Sequence, residues 1–293
     1  MTAMRPVLIP AAILAVLSAA TPVRSQSSDG SRAVERRFPI DSDAYVKVYL
    51  LEGEVRVTGW EKDSIAVTGT VDGGRLFSGG RGKSAKLGLW EEPGLGRLEV
   101  RVPASATVWV KSESAAVSVA GVAGGIDVYS VTGGIRIEGS PRQIYAESMG
   151  GNIVVEASAP SIRAKTAGGT ISFRGRTDDL LLSTVSGSID AAPEGPPLRG
   201  RLETVTGRIL WQGGVERGGS LDFQTHSGTV DLSFPTGLDA EVSVSTVEGS
   251  ISGKPGPAEA SEASLRGPTV DILVGAGGAR IGIRTFSGDV IFR

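Results

Sequence analysis

Ile162-Arg163-Ala164-Lys165-Thr166-Ala167-Gly168-Gly169-Thr170-Ile171-Ser172-Phe173 is the stretch whose reading decides the fold. Read with a period of two, Ile162, Ala164 and Thr166 share one face, as successive side chains of a strand alternate sides. A glycine corner at Gly168-Gly169 follows, after which Ile171 and Phe173 return to that face. The segment is two short strands joined by a bend.

The same pattern recurs along most of the chain. Aligned on the small residue two positions before an Ile or Val, the anchors are Ala115, Gly133, Gly151, Gly169, Gly187, Gly207, Gly228, Gly249 and Gly288. They are 18 residues apart at first, then 20 to 21, with a last gap of 39 that holds the irregular segment 253–268. The residue three before each anchor is always Ser or Thr, from Ser112 through Thr166 to Thr285. Seven before it the residue is apolar except at Gly200, and two after it is always Ile or Val.

A period of this length with two short β-segments is the mark of stacked repeats that bury a common core. The expected fold is all-β: a single-chain parallel β-solenoid with coils of 18–21 residues, about eleven of them, stacked at roughly 4.8 Å. The Ser/Thr column is in phase with the inward residues, so its hydroxyls need partners in neighbouring coils or in corner backbone. The anchor glycine is expected to supply a positive φ at the corner. An outer-membrane barrel is the competing architecture. Its strands run to about ten residues with aromatic girdles, whereas these runs break after about five residues and aromatics are only 5% of the chain.

Around the repeats, residues 1–25 read as a signal peptide, with Arg5, the apolar run Val7 to Leu17, and small residues suited to cleavage near 20 or 25. The run is too short for a spanning helix. An uncleaved anchor is the rival reading of that segment. Residues 26–37 read as a polar linker and 38–293 as the solenoid domain, interrupted at 72–96 and 253–268. Within 72–96, the run Gly73 to Ser84 reads as a mobile basic loop, and 86–90 is expected to pair with 97–102 as a hairpin. Ala258 to Leu265 is expected to be a helical cap. Without a cap, the C-terminal coil would be an open edge and a route to end-to-end self-association.

The residues at 53–60, 98–103 and 184–189 (Gly-Glu-Val-Arg-Val-Thr-Gly-Trp, Leu-Glu-Val-Arg-Val-Pro and Thr-Val-Ser-Gly-Ser-Ile) resemble the bacterial "putative adhesin" β-strand-repeat proteins. The resemblance covers roughly 38–293. It implies a parallel β-solenoid at the cell envelope, often without an assigned function, with some relatives linked to envelope-stress signalling. No catalytic motif comes with it.

Chemistry is sparse. There is no Cys and a single His, and the net charge is −2, evenly mixed. A basic stripe for nucleic acid, a cysteine framework and a typical zinc site are all missing from this composition. Gly82-Lys83-Ser84 ends like a phosphate-binding loop, but Phe77 stands where the motif needs Gly. His226 lies two before its anchor, where other coils carry Val131, Met149, Val185, Val205, Val247 and Phe286, so a packed or corner histidine is expected rather than a base or ligand.

The outward columns four and six before the anchor offer a candidate binding face: Trp109, Tyr129, Tyr145, Arg163, Lys165 and Arg201. Rings beside charges suit a sugar or protein partner. The plainer reading is a solvated face with paired charges. The expected function is an exported, non-enzymatic, adhesin-like protein, in the periplasm, at the cell surface or secreted, that meets an envelope polysaccharide or protein partner. It needs no cofactor and has no transmembrane segment after signal cleavage. A polysaccharide-acting enzyme on a parallel β-helix is the alternative, and it would need Arg163, Arg201 and Asp222 to face a groove.

Overall fold

The computed structural model describes residues 31–90, 95–256, 261–266 and 269–293. The signal-peptide reading of 1–25 and the uncleaved-anchor reading lie outside them. The turn at 91–94 and the first part of the expected helical cap, 258–260, lie outside them as well. All elements are strands, and no helix occurs among the described residues.

The repeats form an alternating series. It runs β8 (Thr107–Ser112), β9 (Ala116–Ala120), β10 (Gly125–Ser130), β11 (Ile135–Gly139), β12 (Gln143–Ser148), β13 (Ile153–Ala157), β14 (Ser161–Thr166) and β15 (Ile171–Gly175). It continues as β16 (Asp179–Ser183), β17 (Ile189–Pro193), β18 (Arg199–Glu203), β19 (Ile209–Gln212), β20 (Ser220–Gln224) and β21 (Val230–Ser233). Even-numbered strands pair in parallel with one another in one sheet, and odd-numbered strands do the same in a second. Register follows the period: Ile144 faces Ile162, which faces Leu180, while Ile153 faces Ile171, which faces Ile189.

The result is a 13-stranded and a 14-stranded sheet, mostly parallel. Neither closes on itself, and the parallel pairing is not that of an outer-membrane barrel, whose strands run antiparallel. Inward residues of both sheets meet in one core that contains Ile162, Ala164, Ile171 and Phe173, all fully buried. Volume is balanced locally: at Gly200 the space of a side chain is filled by Leu221 of the next strand. Trp211 packs edge-on against Phe223 with ring centroids 5.7 Å apart.

The corner glycines work differently from the expected positive φ, which none of them adopts. A Cβ on Gly169 would lie 2.1 Å from the carbonyl oxygen of Gly151, and one on Gly187 would lie 1.8 Å from that of Gly169. The column is glycine because successive backbones stack too closely for any side chain. The hydroxyl column fits this corner. Gly169 N–H donates to Thr166 Oγ1 at 3.1 Å, and Thr166 Oγ1 donates to Gly151 O at 3.2 Å. The pairing repeats at Gly151–Ser148, Gly187–Thr184, Gly207–Thr204 and Gly228–Thr225. Direct hydroxyl-to-hydroxyl bonding occurs from Ser112 to Ser130, at 3.0 Å.

Both ends depart from chain order. At the first, β1 (Ser31–Pro39), β2 (Tyr45–Leu50), β3 (Glu52–Trp60), β4 (Ser64–Asp72), β5 (Arg75–Arg81), β6 (Ser84–Trp90) and β7 (Leu95–Pro103) are laid down so that β2 and β3 sit beside β8 and β9. Strands β6 and β7 lie outside them. Three expectations are corrected here. The stretch read as a linker is a strand from Ser31, antiparallel to β4. The stretch read as a mobile basic loop, Gly73 to Ser84, holds all of β5 and the start of β6, which pair as an antiparallel hairpin around Gly82. Residues 86–90 and 97–102 belong to different sheets rather than one hairpin.

At the other end come β22 (Ala240–Thr246), β23 (Ile251–Ser252), β24 (Ser261–Arg266), β25 (Thr269–Val274), β26 (Arg280–Thr285) and β27 (Val290–Phe292). Strand β26 inserts between β20 and β22, and β27 between β21 and β23. The C-terminal coil is therefore an inner layer and not the open edge expected of it, so end-to-end association through that coil loses its premise. The segment expected as a helical cap carries β24, which runs antiparallel to β25 and ends the sheet. Tertiary pairing overrode the helical propensity of Ala and Glu in this stretch.

Candidate functional site

The outer face of the even-numbered sheet carries the aromatic residues. Trp109 and Tyr145 stand in one column and Tyr129 in the next, so their rings form a zigzag across the strands. Ring centroids are 5.8 Å apart from Trp109 to Tyr129 and 5.4 Å from Tyr129 to Tyr145. The file extends past the residues the sequence singled out, through Tyr49 at 5.2 Å from Trp109 and Phe77 at 6.3 Å from Tyr49. Lys86 sits 5.0 Å from the Tyr49 ring. These additions were hidden because the repeat alignment began at Ala115, and nothing local shows that 45–50 lies beside 107–112.

Asp127 lies within this file, in register with Trp109 on one side and Tyr145 on the other. It is half-buried, and burial pushes its carboxyl above the usual range. Among the described residues it makes no hydrogen bond or ion pair, which leaves an acceptor between rings. Its place in the outward column beside two aromatics was readable from the sequence. The Tyr145 hydroxyl donates to Glu147, and that bond, with burial, pushes the phenol up to about 12.

The basic candidates are exposed and do not join the file. Arg163 lies 3.8 Å from Asp179, which also meets Arg199 at 3.5 Å, and Arg201 pairs with Glu203 on its own strand. Lys165 is exposed in the column of Glu147 and Ser183. Charged residues of neighbouring strands pairing on a solvated face describe this half of the candidate face. The groove expected for an enzyme is not built by Arg163 and Arg201. Asp222 borders a shallow depression of about 330 Å³ left by Gly282.

Other concavities are open. One of about 690 Å³ is formed by the turns around Pro193, Gly213 and Pro235, where coils lengthen to 20 and 21 residues. A groove of about 460 Å³ runs beside Tyr49, Phe77, Leu51 and Val131. Gly82-Lys83-Ser84 forms a hairpin turn whose Lys83 pairs with Asp43 at 2.7 Å; no helix follows it, so the phosphate-loop reading fails. No cluster of metal-ligating side chains occurs among the described residues.

Of the two readings of His226, packed or corner, the structure shows the corner: the residue is exposed and its ring stacks on Phe286 at 5.0 Å with planes 9° apart. Backbone bonds hand this corner from strand to strand: Met149 to Val131, Ala167 to Met149, Val185 to Ala167, and on through Val205, His226 and Phe286 to Val247. An apolar row therefore runs along the outside of the stack.

No protein-family model matches the chain, and no curated protein matches it. Solved structures do share its fold. A "putative lipid binding protein" from Parabacteroides distasonis ATCC 8503 superposes with a TM-score of 0.51 at 11% identity, over 89% of this chain and 96% of that one. A "putative adhesin" from the same organism gives 0.51 at 11%, over 89% and 97%. A "putative adhesin" from Parabacteroides merdae ATCC 43184 gives 0.50 at 12%, over 89% and 96%. At such identities the likeness is one of fold. It agrees with the all-β "putative adhesin" resemblance read from the sequence.

Proposed function

We propose that this protein is an exported, adhesin-like binding protein, a two-sheet β-solenoid that presents a glycan-binding face rather than a catalytic site. The observation that carries the reading is the file Phe77–Tyr49–Trp109–Tyr129–Tyr145 with Asp127 set between its rings. Sugar rings offer C–H faces that stack on aromatics and hydroxyls that donate to a carboxylate. A continuous file of tilted rings with neighbours 5.2–6.3 Å apart suits an extended polymer rather than a compact ligand.

Glycosidic cleavage calls for two carboxyl groups flanking one bond. In this file Asp127 has aromatic neighbours in its own column, and Glu147 is held by the Tyr145 hydroxyl. That arrangement favours holding over cutting. Structures named for adhesion or lipid binding share the fold, which supports a binding role without naming a ligand.

The purified protein, applied to a glycan array and to isolated envelope fractions, is expected to retain a polysaccharide. Trp109→Ala with Tyr129→Ala is expected to weaken that binding at least tenfold, about 1.4 kcal/mol or more, with an unchanged thermal midpoint. Retention untouched by the double variant would remove the file from the function. Absence of any glycan binding would overturn the reading.

A further inference from the structure

Six of the ten exposed large apolar side chains among the described residues stand in one row along the corner, Met149 and Val247 being the most open at 65% and 64%. Scattered surface Leu or Val needs no explanation, but a contiguous apolar strip on a soluble surface marks an interaction site. We propose that this corner is a lateral interface between two copies of this chain.

Three features select a second copy. The first is charge. From Ser130 to Gly228 the corner positions carry no Asp, Glu, Lys or Arg, and the column beside the row begins Thr132, Gly150, Gly168, Ser186 and Thr206; Glu248, beside Val247, is the one charged residue along the rest of it. A surface that docks on anionic lipid adds cations to its apolar residues, and a charged protein partner would find only Glu248 here.

The second is symmetry. Two such rows related by a two-fold axis meet apolar residue to apolar residue, the self-complementary arrangement of an isologous contact. The third is pitch. Side chains recur at roughly 4.8 Å, the spacing of hydrogen-bonded strands, and only a partner with that same repeat meets every rung in phase. A second copy has that repeat by construction.

The size sets the strength. From Val131 to Val247 the row spans roughly 34 Å, so a strip about 12 Å wide covers roughly 400 Å² on each copy, short of a standard stable interface. The dimer is therefore reversible and weak, forming at micromolar concentration or above. It leaves the aromatic file on the outer sheet face free.

Sedimentation equilibrium of the purified protein across 1 to 500 μM (about the range a small interface requires) tests this. A reversible monomer–dimer equilibrium is expected, weakened at least tenfold in Val185→Asp/Val205→Asp, whose side chains are exposed and whose thermal midpoint should hold. Because the chain has no cysteine, Val185→Cys should give a disulfide dimer on mild oxidation, while Thr58→Cys on the other sheet's outer face should not. A wild-type monomer throughout, or a dimer indifferent to the Asp pair, overturns the proposal. So does flotation of a monomer with phosphatidylcholine vesicles that the Asp pair abolishes, which would assign the row to lipid.

Discussion

At the residue scale, the corner shows how one position can be glycine for a reason the sequence does not display. Positive φ occurs instead at Gly121, just after β9, and at Gly139 and Gly175, the last residues of β11 and β15. The anchors are glycine because the carbonyl of the preceding coil occupies the place of a Cβ. Two adjacent glycines test this. Gly169→Ala is expected to destabilise by about 3 kcal/mol, since the obstacle is backbone and cannot swing aside. At Gly168 an added Cβ meets nothing closer than 3.8 Å. Gly168→Ala should therefore be neutral or stabilising by up to about 1 kcal/mol, through a less free unfolded chain. Urea unfolding of both variants decides it, and equal effects would refute the stacking account.

At the element scale, strand identity was legible and strand neighbours were only partly so. From Ser112 to Val230 the 18- to 21-residue repeat places each strand on its predecessor, because parallel pairing leaves one register that keeps the apolar column inward. That is why alternation and spacing alone put Thr166 and Ile171 on the inward face. Outside that stretch the period breaks, and neighbours are chosen by which open edge a strand can reach. Strands β26 and β27 fill a gap between β20 and β22 and between β21 and β23. Removing residues 280–293 is expected to be far more damaging than loss of a terminal coil. It withdraws Ile281, Ile283, Val290 and Phe292 from the core and unpairs the strands on both sides. Burial of four such side chains contributes roughly 6 kcal/mol or more, comparable to the whole stability of an ordinary domain. The truncated chain should show no cooperative urea transition; a cooperative one with a modestly lower midpoint would contradict the insertion.

Edges are handled at this scale too. Strand β1 ends its sheet with Arg32, Glu35, Arg36, Arg37 and Pro39, and β23 at the other end has two residues before Lys254 and Pro255. Charge, proline and shortness are the usual guards against edge-to-edge pairing. Antiparallel strands close the second sheet at both ends.

At the scale of the whole described body, stability should depend on pH through carboxylates with opposite signs. Asp231, nearly inaccessible, is held below the usual range by Arg293 and then Arg208, with Arg293 Nε at 2.7 Å. Asp239 is lowered by N–H donation from Gly278 and Ala276, and Asp289 by Ser250. For such groups the folded pKa is depressed. Their contribution is complete above the unfolded value of about 3.9 and is lost as pH falls through the folded pKa. Asp127 is raised, so its penalty grows as pH climbs past the unfolded value and is complete above its folded pKa. The urea midpoint is expected to fall steeply below about pH 4. Asp231→Asn should lower it at pH 7, whereas Asp127→Asn should raise it at pH 7 and leave it unchanged at pH 3. Like signs for the two variants at pH 7 would contradict these assignments.

The sequence by itself determined the all-β class, the period, the inward column, the hydroxyl ladder and the outward rings Trp109, Tyr129 and Tyr145. Each of these follows from alternation and spacing, which are local. Only the tertiary structure decided that Tyr49 and Phe77 extend the ring file, that Asp127 is trapped between rings, and that the corner apolar row is exposed. It also decided that the last coil lies inside the stack. These depend on which distant segments share an edge, and that choice is made by the free energy of filling unpaired strands, which no single stretch of sequence encodes.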